Sequence, residues 1–326
     1  MQRELSTALS TGDPQLQLVR SVLVSVDGKT VVTHYHDRTA RDRAHVWSVT
    51  KSVVSILVGI AVDDGLLRVD QPLRELLPEH RGSMSPQQET ITLHQLLTMT
   101  AGLSADDGGM NLLDDDPVGQ ILSYGMANDP GASFQYANSS AHLVAAVLAK
   151  AVDRPLLSYA RERLFDPLGI DTRPAWQGQD TGLSTSGFTM PGFGWARDAS
   201  GLHIGALGLK LTAPDLLKLG QLYVDGGQWR GGRIVSEDWV RASTSPQLTD
   251  DQADNPDGQY GYLWWPFEYG GTTGFNALGS YSQRILCFPE QAAVIVVTAD
   301  DMSGTDSLNL TLDPVLLLTV VDPLLA

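Results

Sequence analysis

The chain is poor in cysteine, with Cys287 alone among 326 residues. A single thiol excludes an intramolecular disulfide, and no apolar export segment follows the charged residues after Met1. We therefore expect a reducing, cytoplasmic location. No apolar stretch reaches the roughly 18 residues that cross a bilayer, so we also expect no membrane partner.

Positive charge is scarce as well. The formal net charge is −16, and five lysines stand beside 17 arginines. Nucleic acids bind clustered Lys and Arg, so this balance excludes a nucleic-acid partner. The spacings H-E-x-x-H, C-x-x-C and G-x-S-x-G are absent, which leaves no indication of a metal, a cofactor or an α/β-hydrolase nucleophile. The composition does not indicate an oligomeric state.

Both ends of the chain carry the β-branched, alternating pattern that is typical of strands. The first pair of strands flanks Asp27-Gly28, a two-residue hairpin signal, and the second pair flanks a turn at Pro289. The predicted strands are Ser21 to Val26, Thr30 to Tyr35, Tyr281 to Phe288 and Ala292 to Thr298. We expect all of them in one antiparallel sheet.

Helical patterns fill most of the remaining chain. The clearest runs from Ser48 to about Leu67 and is apolar nearly all round, as expected of a helix buried in a large core. The others are Leu93 to Met99, Ala141 to Ala151, Leu156 to Leu164, Pro214 to Tyr223, Glu237 to Ser243 and Ser307 to Val321.

Together these patterns predict an α+β fold. We expect residues 1–66 and 205–326 to form a sheet domain with flanking helices, and residues 67–204 to form an inserted, mainly helical domain. A cleft between the two is the expected place for a pocket. The loops Ser104 to Pro117 and Gln177 to Ala199 are expected to set its shape.

Ser48-Val49-Thr50-Lys51 opens the apolar helix. Residues three apart share a helix face, so the Ser48 hydroxyl and the Lys51 amine are expected one turn apart. A lysine amine that burial or a neighbouring cation keeps uncharged can take a serine proton, whereas arginine cannot. Chance gives about 0.4 such pairs in a chain of this composition, so the pair needs further partners.

Tyr136-Ala137-Asn138 is the second polar motif, just before a predicted helix. A phenol can relay a proton, and an asparagine amide can bind a substrate carbonyl. Alone, such a tyrosine is more often a half-buried loop residue and such an asparagine a helix cap. Both motifs together are expected by chance about 0.06 times per chain, so their joint presence indicates a hydrolase site.

With these motifs the chain resembles the serine β-lactamase and penicillin-binding-protein superfamily. Within it, the chain is similar to the class C-like branch of 6-aminohexanoate-dimer hydrolases, family VIII-type esterases and D-amino-acid peptidases. Further family-like stretches are Ile91 to Leu103, Leu164 to Ile170 and Gly261 to Trp265. The resemblance implies an antiparallel sheet with flanking helices, a helical lobe, and an active site between them.

The family's third motif, usually Lys or His, then Thr or Ser, then Gly on an edge strand, lacks its cation here. Its place falls on Ala277-Leu278-Gly279. The alternative is Thr272-Thr273-Gly274, whose residue types are closer to those of the motif. The first placement leaves a strand of usual length before the turn at Pro289. In lactam-handling relatives this cation helps to hold a substrate carboxylate, so its absence disfavours penicillin as a substrate.

The resemblance implies a role for each of these residues. Ser48 would be the nucleophile and Lys51 and Tyr136 the acid–base pair, while the backbone N–H groups of Ser48 and Ser280 would bind the oxyanion. The expected substrate contacts are Asn138, Ala277, Gly279 and Trp265.

We expect a small-molecule ester or linear amide, cleaved through an acyl-enzyme without metal or cofactor. One alternative is a D-amino-acid or cell-wall peptide hydrolase, which the missing cation and the expected cytoplasmic location disfavour. The other is a non-catalytic binding protein with the same fold. The joint presence of both motifs disfavours it.

Overall fold

A computed structural model describes residues 1–104, 115–175, 192–254, 258–300 and 307–326, and side chains in the last range from residue 312. Most of the two loops expected to shape the pocket, residues 105–114 and 176–191, lies outside the described residues. The described strands are β1 (Val19–Val26), β2 (Lys29–Tyr35), β3 (Arg43–His45), β4 (Gly194–Trp195), β5 (Leu209–Thr212), β6 (Gln228–Trp229), β7 (Gly232–Arg233), β8 (Trp265–Tyr269), β9 (Thr272–Gly279), β10 (Gln283–Phe288) and β11 (Ala293–Ala299).

The described α-helices lie mainly between the strands of the two chain ends. They are α1 (Gln2–Leu9), α2 (Val49–Asp63), α3 (Leu73–Leu76), α4 (Leu93–Leu97), α5 (Pro117–Ser123), α6 (Asn138–Val152), α7 (Leu156–Ala160), α8 (Asp166–Leu168), α9 (Ala213–Val224), α10 (Glu237–Thr244), α11 (Asp250–Ala253), α12 (Ser307–Leu316) and α13 (Asp322–Leu325). Among these described helices, none is both long and apolar enough to cross a membrane.

The main sheet joins both ends of the chain, as the sequence predicts. Its order is β2-β1-β11-β10-β9-β8, and every neighbouring pair is antiparallel. Asp27 and Gly28, between β1 and β2, have φ of 49° and 70°. Two positive φ values in succession are what a type I′ hairpin turn requires, which explains why this dipeptide is a strong signal. The α+β fold is confirmed.

Two apolar cores cover the two faces of the sheet. The larger contains α2, which is buried from Val49 to Ala61, together with residues of α4, α6 and α9. The smaller packs Leu5 of α1 and Leu312 of α12 against β1 and β11. A helix buried on all sides explains the continuous apolar pattern after Ser48.

The sequence did not predict β8 and β9 as strands. Pro266, the pair Gly270-Gly271 and Gly274 interrupt the alternating pattern there, and such residues usually mark turns or strand edges. The sequence predicts that the strand of the third motif runs on to the turn at Pro289, and this predicted strand length is wrong. Ala277-Leu278-Gly279 instead ends β9, and a turn at residues 280–282 separates it from β10.

A second, small sheet connects distant parts of the chain. Its order is β3-β5-β4, so β4, from within the stretch predicted as the helical domain, pairs with β5 beyond it. This sheet leads directly into α2 through Val46. The division of the chain at residues 66 and 205 stays a prediction.

Acid is expected to destabilise the fold through His203, which is 6% exposed. Burial, and then the charge of Arg197, lowers the pKa of His203 from 6.5 to about 4. The unfolded chain therefore takes up this proton first, so stability falls between about pH 6.5 and pH 4, by up to about 3 kcal/mol. Urea unfolding of the wild type and of His203→Asn across this pH range measures the free energy of unfolding of each. The difference between the two free energies should narrow as the pH falls. A free energy of unfolding that falls equally with pH in both proteins would contradict the prediction.

Candidate active site

Ser48 lies at the N-terminal end of α2. Val46 donates its N–H to the Leu209 carbonyl of β5 at 3.0 Å, which ties this backbone to the small sheet. Trp47 has a φ of 48°, a left-handed conformation that is unusual for a bulky residue. The Ser48 side chain makes no capping hydrogen bond to its helix. The Ser48 hydroxyl is therefore not engaged by the backbone N–H groups of its helix.

The Lys51 amine is buried against three oxygens. Lys51 is 1% exposed, and Nζ lies 2.9 Å from Ser48 Oγ. It donates to Asn138 Oδ1 at 2.7 Å and to the Ala206 carbonyl at 2.9 Å. These oxygens come from three separate segments, α2, α6 and the chain before β5. The structure thus brings the predicted serine–lysine pair within hydrogen-bond distance.

Tyr136 meets Lys51 through its ring. The Lys51 Nζ lies 4.8 Å from the ring centroid, over the face of the phenol. Among the described residues, no hydrogen bond joins this amine to the Tyr136 hydroxyl. The reason is geometric, because three other oxygens already lie within hydrogen-bond distance of Nζ.

Asn138, the first residue of α6, contacts the lysine directly. The sequence predicted that its amide would bind substrate, whereas its Oδ1 accepts from Lys51. An amide oxygen can only accept, so this contact fixes the direction of one N–H of the amine. The Asn138 side chain therefore orients the candidate base in this structure.

Gly279, at the end of β9, lies beside the nucleophile backbone. A Cβ added at Gly279 would come 2.3 Å from the Val46 carbonyl oxygen and 3.3 Å from the Ser48 nitrogen. Gly274, in the alternative motif, lies five residues earlier, about 17 Å along an extended strand. Among the described residues, neither the Ser48 N–H nor the Ser280 N–H donates a hydrogen bond. Two N–H groups near one another without partners can bind an oxyanion.

The position of the missing cation is apolar. Ala277 is fully buried and pairs with Ile285 across the strands. The nearest basic residue on β10, Arg284, pairs with Leu278 on the opposite face and forms an ion pair with Asp313. Strands β9 and β10 therefore present no cation on the face that carries Ala277.

Aromatic rings surround the lysine on the side of Tyr136. Trp265 lies 5.5 Å from the Tyr136 ring, and Tyr260 lies 4.5 Å from Trp265 and 6.2 Å from Tyr136. Phe134 adds a fourth ring, 5.4 Å from Tyr260. Burial, and then the neighbouring Tyr136 phenol, raises the pKa of Tyr260, so its hydroxyl remains protonated. The sequence named Trp265 but missed Tyr260, just before the family-like Gly261 to Trp265 stretch.

The Ala206 carbonyl was also missed. It acts through its backbone, and alanine carries no chemical signal in a sequence, so no motif could have found it. The clue available was its position, a few residues before the β5 strand and among the glycines Gly205 and Gly208.

The chain is similar to known proteins. The model of the Beta-lactamase family matches residues 18–317. The 6-aminohexanoate-dimer hydrolase of Paenarthrobacter ureafaciens is 24% identical over 322 residues, which cover 89% of this chain and 76% of that protein.

Solved structures also share the fold. EstCE1, described as a hydrolase with promiscuous acyltransferase activity, superposes with a TM-score of 0.73 at 17% identity, over 96% of this chain and 98% of that one. The D-amino acid amidase of Ochrobactrum anthropi SV3 superposes with a TM-score of 0.68 at 18% identity, over 97% and 96%. From the family match over nearly its whole length, the chain belongs to the Beta-lactamase family and is a serine hydrolase.

Proposed function

We propose that the protein cleaves an uncharged ester or linear amide through an acyl-enzyme on Ser48. The observation that carries this proposal is the 2.9 Å contact between the buried Lys51 amine and Ser48 Oγ. A nucleophile with a base within hydrogen-bond reach, itself oriented by further groups, is the arrangement that covalent hydrolysis requires.

The contacts of Lys51 support its role as the base. An uncharged amine has two N–H groups and one lone pair. Asn138 Oδ1 and the Ala206 carbonyl can only accept, so they engage the two N–H groups. The lone pair then points at Ser48 Oγ, the one partner that can donate a proton.

In the first half-reaction, Lys51 takes the Ser48 proton as Oγ bonds to the substrate carbonyl carbon. Negative charge develops on the carbonyl oxygen, where the N–H groups of Ser48 and Ser280 would receive it. The proton passes from Lys51, with Tyr136, to the leaving oxygen or nitrogen as its bond to carbon breaks. Water deprotonated by the same groups then releases the acid and restores Ser48.

The surroundings of the site support an uncharged substrate. The partly exposed rings of Tyr136 and Trp265 offer apolar contacts, and β9 and β10 present no cation on the face of Ala277. A substrate carboxylate would lose its hydration there without a counter-charge. This chemistry favours neutral esters and amides over penicillins.

The second candidate is a D-amino-acid peptide hydrolase. Its support is the fold shared with the D-amino acid amidase, whose identity of 18% limits the argument to the fold. A peptide with a free carboxylate would need the cation that Ala277 replaces, so this candidate ranks below an esterase or amidase.

The acyl-enzyme is tested with a fluorophosphonate probe. We expect covalent mass on the peptide that contains Ser48, and its loss in Ser48→Ala. Lys51→Arg should slow labelling at least about 10³-fold, because an arginine stays protonated and cannot accept the serine proton. Ser55→Ala, a serine on the same helix, serves as the matched control and should label normally. An unlabelled wild type would leave the non-catalytic binding protein as the explanation.

Substrate class is tested with a panel of p-nitrophenyl esters, linear ω-amino-acid amides, D-Ala peptides and nitrocefin. We expect short-chain ester cleavage to be fastest and nitrocefin to stay near background, because no cation replaces Ala277. The measurement is kcat/KM for each compound. Rapid nitrocefin turnover would show that another group binds the carboxylate.

The position of the oxyanion site is tested by a matched pair, Gly279→Ala and Gly274→Ala. Both added methyl groups meet backbone oxygens, at 2.3 Å from Val46 and 2.7 Å from Cys287, so both should cost stability, about 1–3 kcal/mol. Only Gly279→Ala pushes β9 away from Ser48, so only this variant should lose labelling rate per folded molecule, by about 10²-fold. A loss confined to Gly274→Ala would favour Thr272-Thr273-Gly274 as the third motif, and equal rates would contradict a role of Gly279 in the oxyanion site.

A further inference from the structure

His142 and Asp198 form a buried pair that the proposed reaction does not use. Both side chains are completely buried, and His142 Nε2 lies 3.0 Å from Asp198 Oδ2. Asp198 also accepts from Ser200 Oγ at 2.7 Å and from the Leu202 N–H at 3.0 Å. Burial alone would raise the pKa of Asp198, but these hydrogen bonds outweigh it and the pKa is lowered. The pair is therefore an ionised carboxylate facing a histidine N–H.

The other ring nitrogen of His142, Nδ1, faces the backbone of Gly205. Gly205 precedes Ala206, whose carbonyl accepts from Lys51. The Gly205 N–H donates to His142 Nδ1 at 3.4 Å. A ring nitrogen that accepts carries no proton, so Nδ1 is bare and the proton is on Nε2, where Asp198 accepts it. This tautomer satisfies both contacts.

Gly205 also packs closely against α6. A Cβ at this position would come 2.2 Å from the Ala141 carbonyl oxygen and 2.7 Å from the Ala145 Cβ. Ala141, His142 and Ala145 share one face of α6 with Asn138, because they follow it by three, four and seven residues. One face of one helix thus contacts the Lys51 amine through Asn138 and holds the backbone of Gly205.

We propose that His142, fixed by Asp198, is a positioning residue that holds the Ala206 carbonyl against the Lys51 amine. The carbonyl of Ala206 follows Gly205 directly and accepts from Lys51 Nζ at 2.9 Å. If Gly205 moves off α6, this acceptor moves with it, and the amine loses one of the two contacts that direct its lone pair to Ser48. His142 thereby acts on the base through the backbone, without touching substrate.

This inference rests on the proposed reaction at Ser48, and the test separates the two. The fluorophosphonate labelling rate at saturation, kinact, and the probe's half-saturation constant, KI, are measured per folded molecule, with the folded fraction taken from near-UV circular dichroism. In His142→Asn, the amide Oδ1 takes the place of Nδ1 and can accept from Gly205. In His142→Gln, the amide takes the place of Nε2 and leaves the Gly205 N–H without its acceptor.

We expect kinact to fall about 10²-fold in His142→Gln, to stay within about threefold of the wild type in His142→Asn, and KI to be unchanged in both. His94→Asn is the control, because His94 is another hydrogen-bonded histidine of the helical region, 3.1 Å from the Tyr262 hydroxyl. It should lower the melting temperature without changing kinact.

Two results would overturn the positioning role. Equal kinact in both His142 variants would mean that the acceptor at Nδ1 is unimportant. A loss of kinact in His94→Asn as large as in His142→Gln would mean that lowered stability alone slows labelling. A wild type that does not label would instead overturn the reaction at Ser48.

Discussion

The burial of one amine among three oxygens governs the arrangement of this protein. Lys51 reaches Ser48 on its own helix, but its other two acceptors come from α6 and from the chain before β5. A buried donor that loses an acceptor costs about 1–3 kcal/mol, so these segments are held to one another through the amine. The large core provides the rigid packing that keeps them at this separation.

The sequence predicted the parts of the site that depend on local patterns. Helix periodicity was enough to predict that Ser48 and Lys51 lie together. The φ preferences of Asp27 and Gly28 were enough to predict the hairpin. The strands β8 and β9 could not be predicted, because their glycines and Pro266 resemble turn residues until the neighbouring strands pair with them. The contact of Lys51 with the Tyr136 ring depends on the arrangement of distant segments, which no local pattern contains.

Two kinds of residue in the site lie beyond sequence motifs for different reasons. Ala206 contributes a carbonyl that every residue possesses, so its identity says nothing about its contact. His142 is distinctive, yet its partner Asp198 is 56 residues away and pairs with it only in the folded chain. The sequence predicted Asn138 as a substrate contact because its partner Lys51 is 87 residues away and meets it only in the folded chain.

The left-handed Trp47 links the two halves of the candidate oxyanion site. Its indole meets the Tyr281 ring edge-on, with 5.0 Å between centroids. Ser48 follows Trp47 and Ser280 precedes Tyr281, so the spacing between their amides depends on how these two rings pack edge to face. A smaller ring at either place would leave this contact unfilled, so the two amides would be held less firmly at their present separation.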